Sequence, residues 1–244
     1  MKSAYMPGQH GAWAMLTVPF ALGAFAAGPV WLHAPLFVFW LSAYLFSHPF
    51  LQWIKTKNVR RYGGPMLVYG LVLAVSGAAL VVFEPGLARW APLFLPPFLV
   101  NVRHARLNRE RALANDLAAV VLFGLIVFVA WDAADRKDWG TAGALFALSV
   151  LYFTGTVLYV KTVIREKHNP RYYAASVIYH ALLPVMAGLL FRSWALVVVS
   201  GWLLVRAVWL PRTDPKVRTV GMLEFANAAL FTAAALVWAV WHPA

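Results

Sequence analysis

The chain has 244 residues, of which 62% are hydrophobic and 12% charged, with a formal net charge of +12 and a mean hydropathy of +0.68. Ordinary soluble domains carry roughly 25% charged residues, so this composition excludes a soluble enzyme, a disordered tail and a coiled coil. Cysteine is absent, which excludes disulfides, iron–sulfur clusters and thiolate metal sites.

The first ten residues hold one Lys and no apolar core, so the first apolar stretch reads as a retained span rather than a cleaved signal peptide. A span needs about 20 mostly apolar residues. Nine such stretches follow in order, at 11–27, 30–54, 65–83, 88–102, 114–131, 139–160, 172–191, 194–210 and 217–241. The fourth is short and holds Pro92, Pro96 and Pro97, which predicts a kink. Pro49 marks His48 as a point where the second span breaks or kinks. The fold class is therefore all-α, a polytopic transmembrane helical bundle in a single domain over residues 1–244.

Charge sets the orientation. With the N-terminus cytoplasmic, 17 of the 21 Lys and Arg residues face the cytoplasm and 4 face outward, as the positive-inside rule requires. The same rule gives the net positive charge its source, so no nucleic-acid partner is implied. The chain is expected in a membrane, with its basic loops on the cytoplasmic side. The outer loop between Trp131 and Trp139 carries Asp132, Asp135 and Asp138, and the two Trp are expected in an interfacial belt. Spans 2 and 6 end alike, as Trp53-Ile54-Lys55-Thr56 and Tyr159-Val160-Lys161-Thr162, a faint internal repeat.

Phosphate-loop, zinc-protease, EF-hand and nucleophile-elbow motifs are absent. The information lies instead in the polar residues within the spans. Placed by helix rise, His48 and Gln52 fall near the cytoplasmic end of span 2, Asn115 and Asp116 open span 5, and Tyr159 and Lys161 close span 6. His180 lies deeper in span 7, Arg206 near the end of span 8, and Glu224 and Asn227 well inside span 9. Ionisable groups thus gather in the cytoplasmic half, which points to a polar cavity open on that side. Snorkelling and structural ion pairs, such as Asp116 or Glu224 with Arg206, are the alternative. His10 stands at the mouth of span 1 and could contact a headgroup. His48 and His180, at similar depth, would also suit axial haem ligation or a quinone site, and Glu224 with Asn227 would suit a transport pathway.

The segment Pro7-Gly8-Gln9-His10-Gly11-Ala12-Trp13-Ala14-Met15-Leu16, followed by Pro19, resembles the start of the YwiC-like family of bacterial integral membrane proteins, a family without an established activity. The layout is also similar to that of the UbiA superfamily of intramembrane prenyltransferases. That resemblance implies nine spans, a cytoplasmic N-terminus and a site at the exits of spans 2 and 6, where those enzymes carry Asp-rich motifs for magnesium and a polyprenyl diphosphate. If there is chemistry, it implies an intramembrane transferase.

Here the two exits differ from that pattern. Residues 47–62 contain no Asp or Glu, and residues 159–169 contain only Glu166. Magnesium prefers carboxylate and phosphate oxygens, so no metal ligands are assigned and metal-dependent prenyl transfer is not expected. Lys and Arg bind phosphate without a metal. The expectation is an anionic or isoprenoid-type membrane lipid, or a small anionic ligand, held by Lys55, Lys161, Arg165 and Arg206. His10, Gln52, Asn115, Tyr159, Glu166 and Asn227 line the site, and His48, Asp116, His180 or Glu224 serve as proton carriers.

Overall fold

A chain in hydrocarbon must satisfy its own backbone N–H and C=O groups, and the helix does so within one segment. A computed structural model describes residues 4–7 and 10–241; the side chain of His10 lies outside the described residues. Among the described residues all regular structure is helical. The helices are α1 (His10–Ala27), α2 (His33–Thr56), α3 (Val59–Phe83), α4 (Ala91–Arg106), α5 (Leu113–Gly124), α6 (Ile126–Ala133), α7 (Trp139–Val160), α8 (Pro170–Leu189), α9 (Trp194–Trp209) and α10 (Val217–Trp241). Seven segments are long and apolar enough to cross a membrane, with α5 and α6 counted as one. The other two expected spans are α1 and α4, which are helical but shorter, at 18 and 16 residues.

Three local expectations are corrected. Helix α2 continues through His48 and Pro49 to Thr56, so the span does not break there: the extended bias of a residue before proline is overridden inside a long apolar helix. Helix α3 begins at Val59, six residues early, because the Asn58 side chain accepts a hydrogen bond from the Arg61 N–H (3.0 Å) and caps it. Trp131 is buried rather than part of a surface belt, whereas Trp139 is exposed.

The chain forms two compact units, Met1–Ala142 and Gly143–Ala244. In the first, α2 packs on α3, α1 on α6, and α4 on α5 and α2. Their shared core includes Leu16, Leu36, Trp40, Leu80 and Ile126. Polar side chains fasten it at defined points. Trp40 Nε1 donates to the Leu16 carbonyl (3.1 Å). His33 Nδ1 accepts from the Val30 N–H (3.0 Å), so its Nε2 carries the proton donated to the Ala130 carbonyl (2.8 Å). Asp132 receives Arg89 and Trp90 Nε1.

Gly23 explains how α1 approaches α6. A Cβ there would lie 2.7 Å from the Val127 carbonyl oxygen and 2.9 Å from the Ala130 Cβ. Backbone cannot swing aside as a flexible side chain can, so Gly23→Ala should lower stability by about 1–3 kcal/mol through overpacking. Unfolding in mixed micelles measures this; an unchanged stability would show that α1 shifts without cost.

In the second unit, α9 packs against both α8 and α10. Helix α7 runs on into one π-helical turn, Lys161–Arg165, whose core neighbours are Tyr159, Ala207 and Val220. Tyr152 stacks on Phe231 at 4.2 Å between ring centroids, and Trp238 Nε1 donates to the Phe191 carbonyl (2.8 Å). The loop after α9 is pinned by the pair Lys167–Asp214. The hydrogen bond and charge of Lys167 hold the exposed Asp214 carboxyl below its ordinary value of 3.8. A lowered value means that the contact favours the fold above 3.8 and that this support fades as pH falls through the folded-state value. Carbon-detected NMR of labelled Asp should place Asp214 below 3.8, with Lys167→Ala moving it upward; no change in the variant would refute the pairing.

Candidate functional site

Helical spacing brings five of the sequence-designated residues together in the second unit. Glu224 and Asn227, three apart on α10, share a face, as do Trp202 and Arg206, four apart on α9. Arg206 is 2% exposed and Glu224 7%. Arg206 Nη1 donates to Glu224 Oε1, and Nη2 donates to His180 Nε2 at 3.0 Å. The guanidinium lies over the Tyr159 ring, with Cζ 4.0 Å from its centroid. Asn227 Nδ2 donates to Glu224 Oε1 (3.2 Å), while Asn227 Oδ1 accepts from Trp202 Nε1 (3.0 Å).

His180 is fully buried on α8, and Gly155 lets α7 pass beside it: a Cβ on Gly155 would lie 3.2 Å from His180 Nε2. The ring's tautomer follows from its neighbours. Nε2 faces a guanidinium donor and must accept; Nδ1 lies 2.7 Å from the Ser176 carbonyl oxygen and must donate. His180 is therefore the neutral Nδ1–H form. Both nitrogens are engaged, so this ring is not available as a haem ligand. Among the described residues no group of three or more His, Asp and Glu side chains is placed to hold a metal ion.

The first unit offers a different environment, an apolar cavity of about 550 Å³. It is lined from α2 by Leu36, Trp40, Tyr44 and Ser47, from α3 by Leu80 and from α4 by Phe94 and Phe98, with α5 and α6 contributing Phe123 and Ile126. The lining positions on α2 run from Leu36 to Ser47, twelve residues, or about 16 Å of helix. The Tyr44 hydroxyl, on this wall, is buried without a hydrogen-bond partner.

Beyond the Ser47–Phe98 end of the wall, α2 and α4 continue into a polar group that includes two more of the designated residues. Lys55 Nζ donates to Glu110 Oε2 at 2.7 Å, and Glu110 Oε1 is buried without a partner. Asn115 Nδ2 donates to the Glu110 carbonyl (2.8 Å), and Asn101 Nδ2 donates to Asn115 Oδ1 (2.9 Å).

The remaining candidates are placed as follows. His48 and Gln52 are half-buried on α2, and Asp116 is half-buried in the first turn of α5, where the helix dipole favours a carboxylate. Lys161 is buried in the π-helical turn and Arg165 is exposed at its end. Glu166 accepts from Asn169 Nδ2 (3.0 Å). The two repeated exits share one feature, a Thr hydroxyl bonded to the carbonyl four residues back: Thr56 to Gln52 and Thr162 to Leu158. They differ otherwise, since Lys55 is partly exposed in an ordinary α-helical turn and Lys161 is buried in a π-helical one.

Sequence reasoning missed Glu110, Asn101, Tyr44, Trp202 and Ser176. Spacing could have found the last two, each four residues before a designated residue. Glu110 and Asn101 are brought to Lys55 and Asn115 by tertiary packing, which leaves no periodic signal.

Among the described residues, seven membrane-length apolar helical segments, with a charge pair buried inside the second unit, define a multi-pass helical membrane protein. Within that class the comparisons are specific. The family model described as "YwiC-like protein" matches residues 6–131. The chain is 39% identical over 231 residues to "Uncharacterized protein YwiC" of Bacillus subtilis (strain 168), covering 94% of this chain and 96% of that one. It is 36% identical over 225 residues to an "Uncharacterized protein" of Haemophilus influenzae, covering 91% and 93%. The chain belongs to the YwiC-like family. No solved structure matches it.

Proposed function

We propose that this protein binds an anionic, isoprenoid-type lipid in the bacterial cytoplasmic membrane, with the apolar chain in the cavity of the first unit. The observation that carries this reading is the cavity itself. Its volume of about 550 Å³ lies within the roughly 300–1,000 Å³ range of ligand pockets, and its walls are aliphatic and aromatic over a length that suits a linear chain. The unpartnered Tyr44 hydroxyl offers one polar contact along that chain.

The headgroup belongs at the basic end. Lys55 stands in the last turn of α2 and Lys57, Arg60 and Arg61 come after it, while Arg103, Arg106, Arg109 and Arg111 follow the apolar part of α4. An anion there would compete with Glu110 for Lys55 and be recognised without metal. The order of spans, with a cytoplasmic N-terminus, supports a UbiA-like layout that has kept a lipid site and lost its magnesium motifs. Whether the lipid is transformed or only held, the binding step comes first and can be tested alone.

The test is native mass spectrometry of gently solubilised full-length protein. A bound isoprenoid phosphate or another anionic lipid is the expected result. Protein that stays bare after incubation with undecaprenyl phosphate and with total bacterial lipid extract would sink the proposal.

A further inference from the structure

The ion pair in the second unit does not use all the polar atoms around it. Arg206 engages Glu224 and His180 through its two terminal nitrogens, while its Nε–H is buried without a partner. Glu224 Oε2 and the Tyr159 hydroxyl are likewise buried and without partners. Each such group costs roughly 1–3 kcal/mol when nothing answers it. Three of them around one guanidinium are not a scattered exception. They point to a guest.

The chemistry of the guest follows from the atoms that would meet it. Nε–H only donates, Glu224 Oε2 only accepts, and the Tyr159 hydroxyl does either. A matching group must therefore both accept and donate. Charge narrows it further. Arg206 and Glu224 cancel, His180 is the neutral tautomer, and Arg206 and Glu224 are the charges that act on Tyr152 and Tyr159. An added anion or cation would be an uncompensated charge in a low-dielectric interior. A hydroxyl group is neutral and has both capacities.

We propose that the second unit carries a buried binding site for a hydroxyl group, formed by Arg206 Nε, Glu224 Oε2 and the Tyr159 hydroxyl. The guest is water or the alcohol end of a lipid-like molecule, since the two present the same O–H. The chain of an alcohol guest would run along α10 toward a separate small cavity, about 10 Å from Glu224 by helix rise. This cavity, of about 40 Å³, is lined by Tyr152, Leu183, Ser200 and Phe231, and Phe231 lies seven residues from Glu224 on the same face of α10. That volume holds one water or the start of a chain. This site is separate from the cavity proposed for the lipid chain and does not depend on it.

The test compares three eight-carbon probes on full-length protein in phosphatidylcholine nanodiscs: 1-octanol, octanoate and n-octane. The readout is thermal unfolding by intrinsic fluorescence. For an alcohol guest, 1-octanol alone raises Tm by a few degrees, and the rise is lost in Tyr159→Phe and in Arg206→Met/Glu224→Leu. Tyr159→Phe removes one oxygen and keeps the ring beneath Arg206, so it guards against a fold defect in the double variant. For a water guest, no probe is selective and a high-resolution structure shows ordered solvent on Arg206 Nε and Glu224 Oε2. Three results would overturn the proposal: a larger response to octanoate, an octanol response equal in native protein and both variants, or no response together with no ordered solvent at these atoms.

Discussion

Glu224→Ala should destabilise the protein by about 3–5 kcal/mol, whereas Arg206→Met/Glu224→Leu should cost clearly less than that single loss. The asymmetry follows from where the two charges sit. Both side chains are almost wholly inside the second unit, so each has lost its hydration and is compensated by the other. Removing one carboxylate leaves a guanidinium with His180 and a ring face but no counter-charge. Removing both charges gives back the desolvation cost, although His180 Nε2 and Asn227 Nδ2 then lose their partners. The measurement is reversible unfolding in mixed micelles, followed by fluorescence of the 12 tryptophans. Equal losses in the single and double variants would mean that the pair is itself a stabilising element. The predicted pattern would mean that the uncompensated charge, more than the loss of the pair, is what the fold cannot bear.

The spans were legible because the bilayer imposes one strong rule. Seven of the nine stretches designated as spans lie in helical segments long and apolar enough to cross a membrane, and the other two, α1 and α4, are shorter helices; in α4 Pro92 falls in the first turn, where no intrahelical N–H is required, and Pro96 and Pro97 lie within the helix without ending it. Sequence reading failed where several helices decide a residue's surroundings. Trp131 has the composition of an interface anchor, yet packing places it in the core. The same limit applies to the site. The depth of His180, Arg206, Glu224 and Asn227 follows from helix rise, and their convergence in the second unit matches what depth suggests. Among those polar groups, Arg206 and Glu224 close on each other. The large void is apolar and in the first unit. Its walls, such as Trp40, Phe94 and Phe123, are ordinary span residues, and a missing side chain leaves no mark in a sequence.

Ala43→Trp should remove bound lipid from the purified protein by at least about tenfold, which is roughly 1.4 kcal/mol of binding free energy, without loss of stability. Ala43 lines the cavity on α2, so a larger side chain there enters open space rather than packed atoms. Filling a void commonly stabilises the unliganded fold, and this separates loss of the ligand from loss of the structure. The control is Val38→Trp on the same helix. Val38 is 47% exposed and is not part of the cavity wall, so its replacement adds the same indole to the outside of the bundle and should leave lipid retention unchanged. Native mass spectrometry gives occupancy for all three proteins, and mixed-micelle unfolding gives their stability. If Ala43→Trp retains lipid at the native level while remaining folded, the chain lies elsewhere and the cavity is not its site. If both variants lose lipid equally, the bound molecule belongs to the annulus around the helices rather than to a pocket within them.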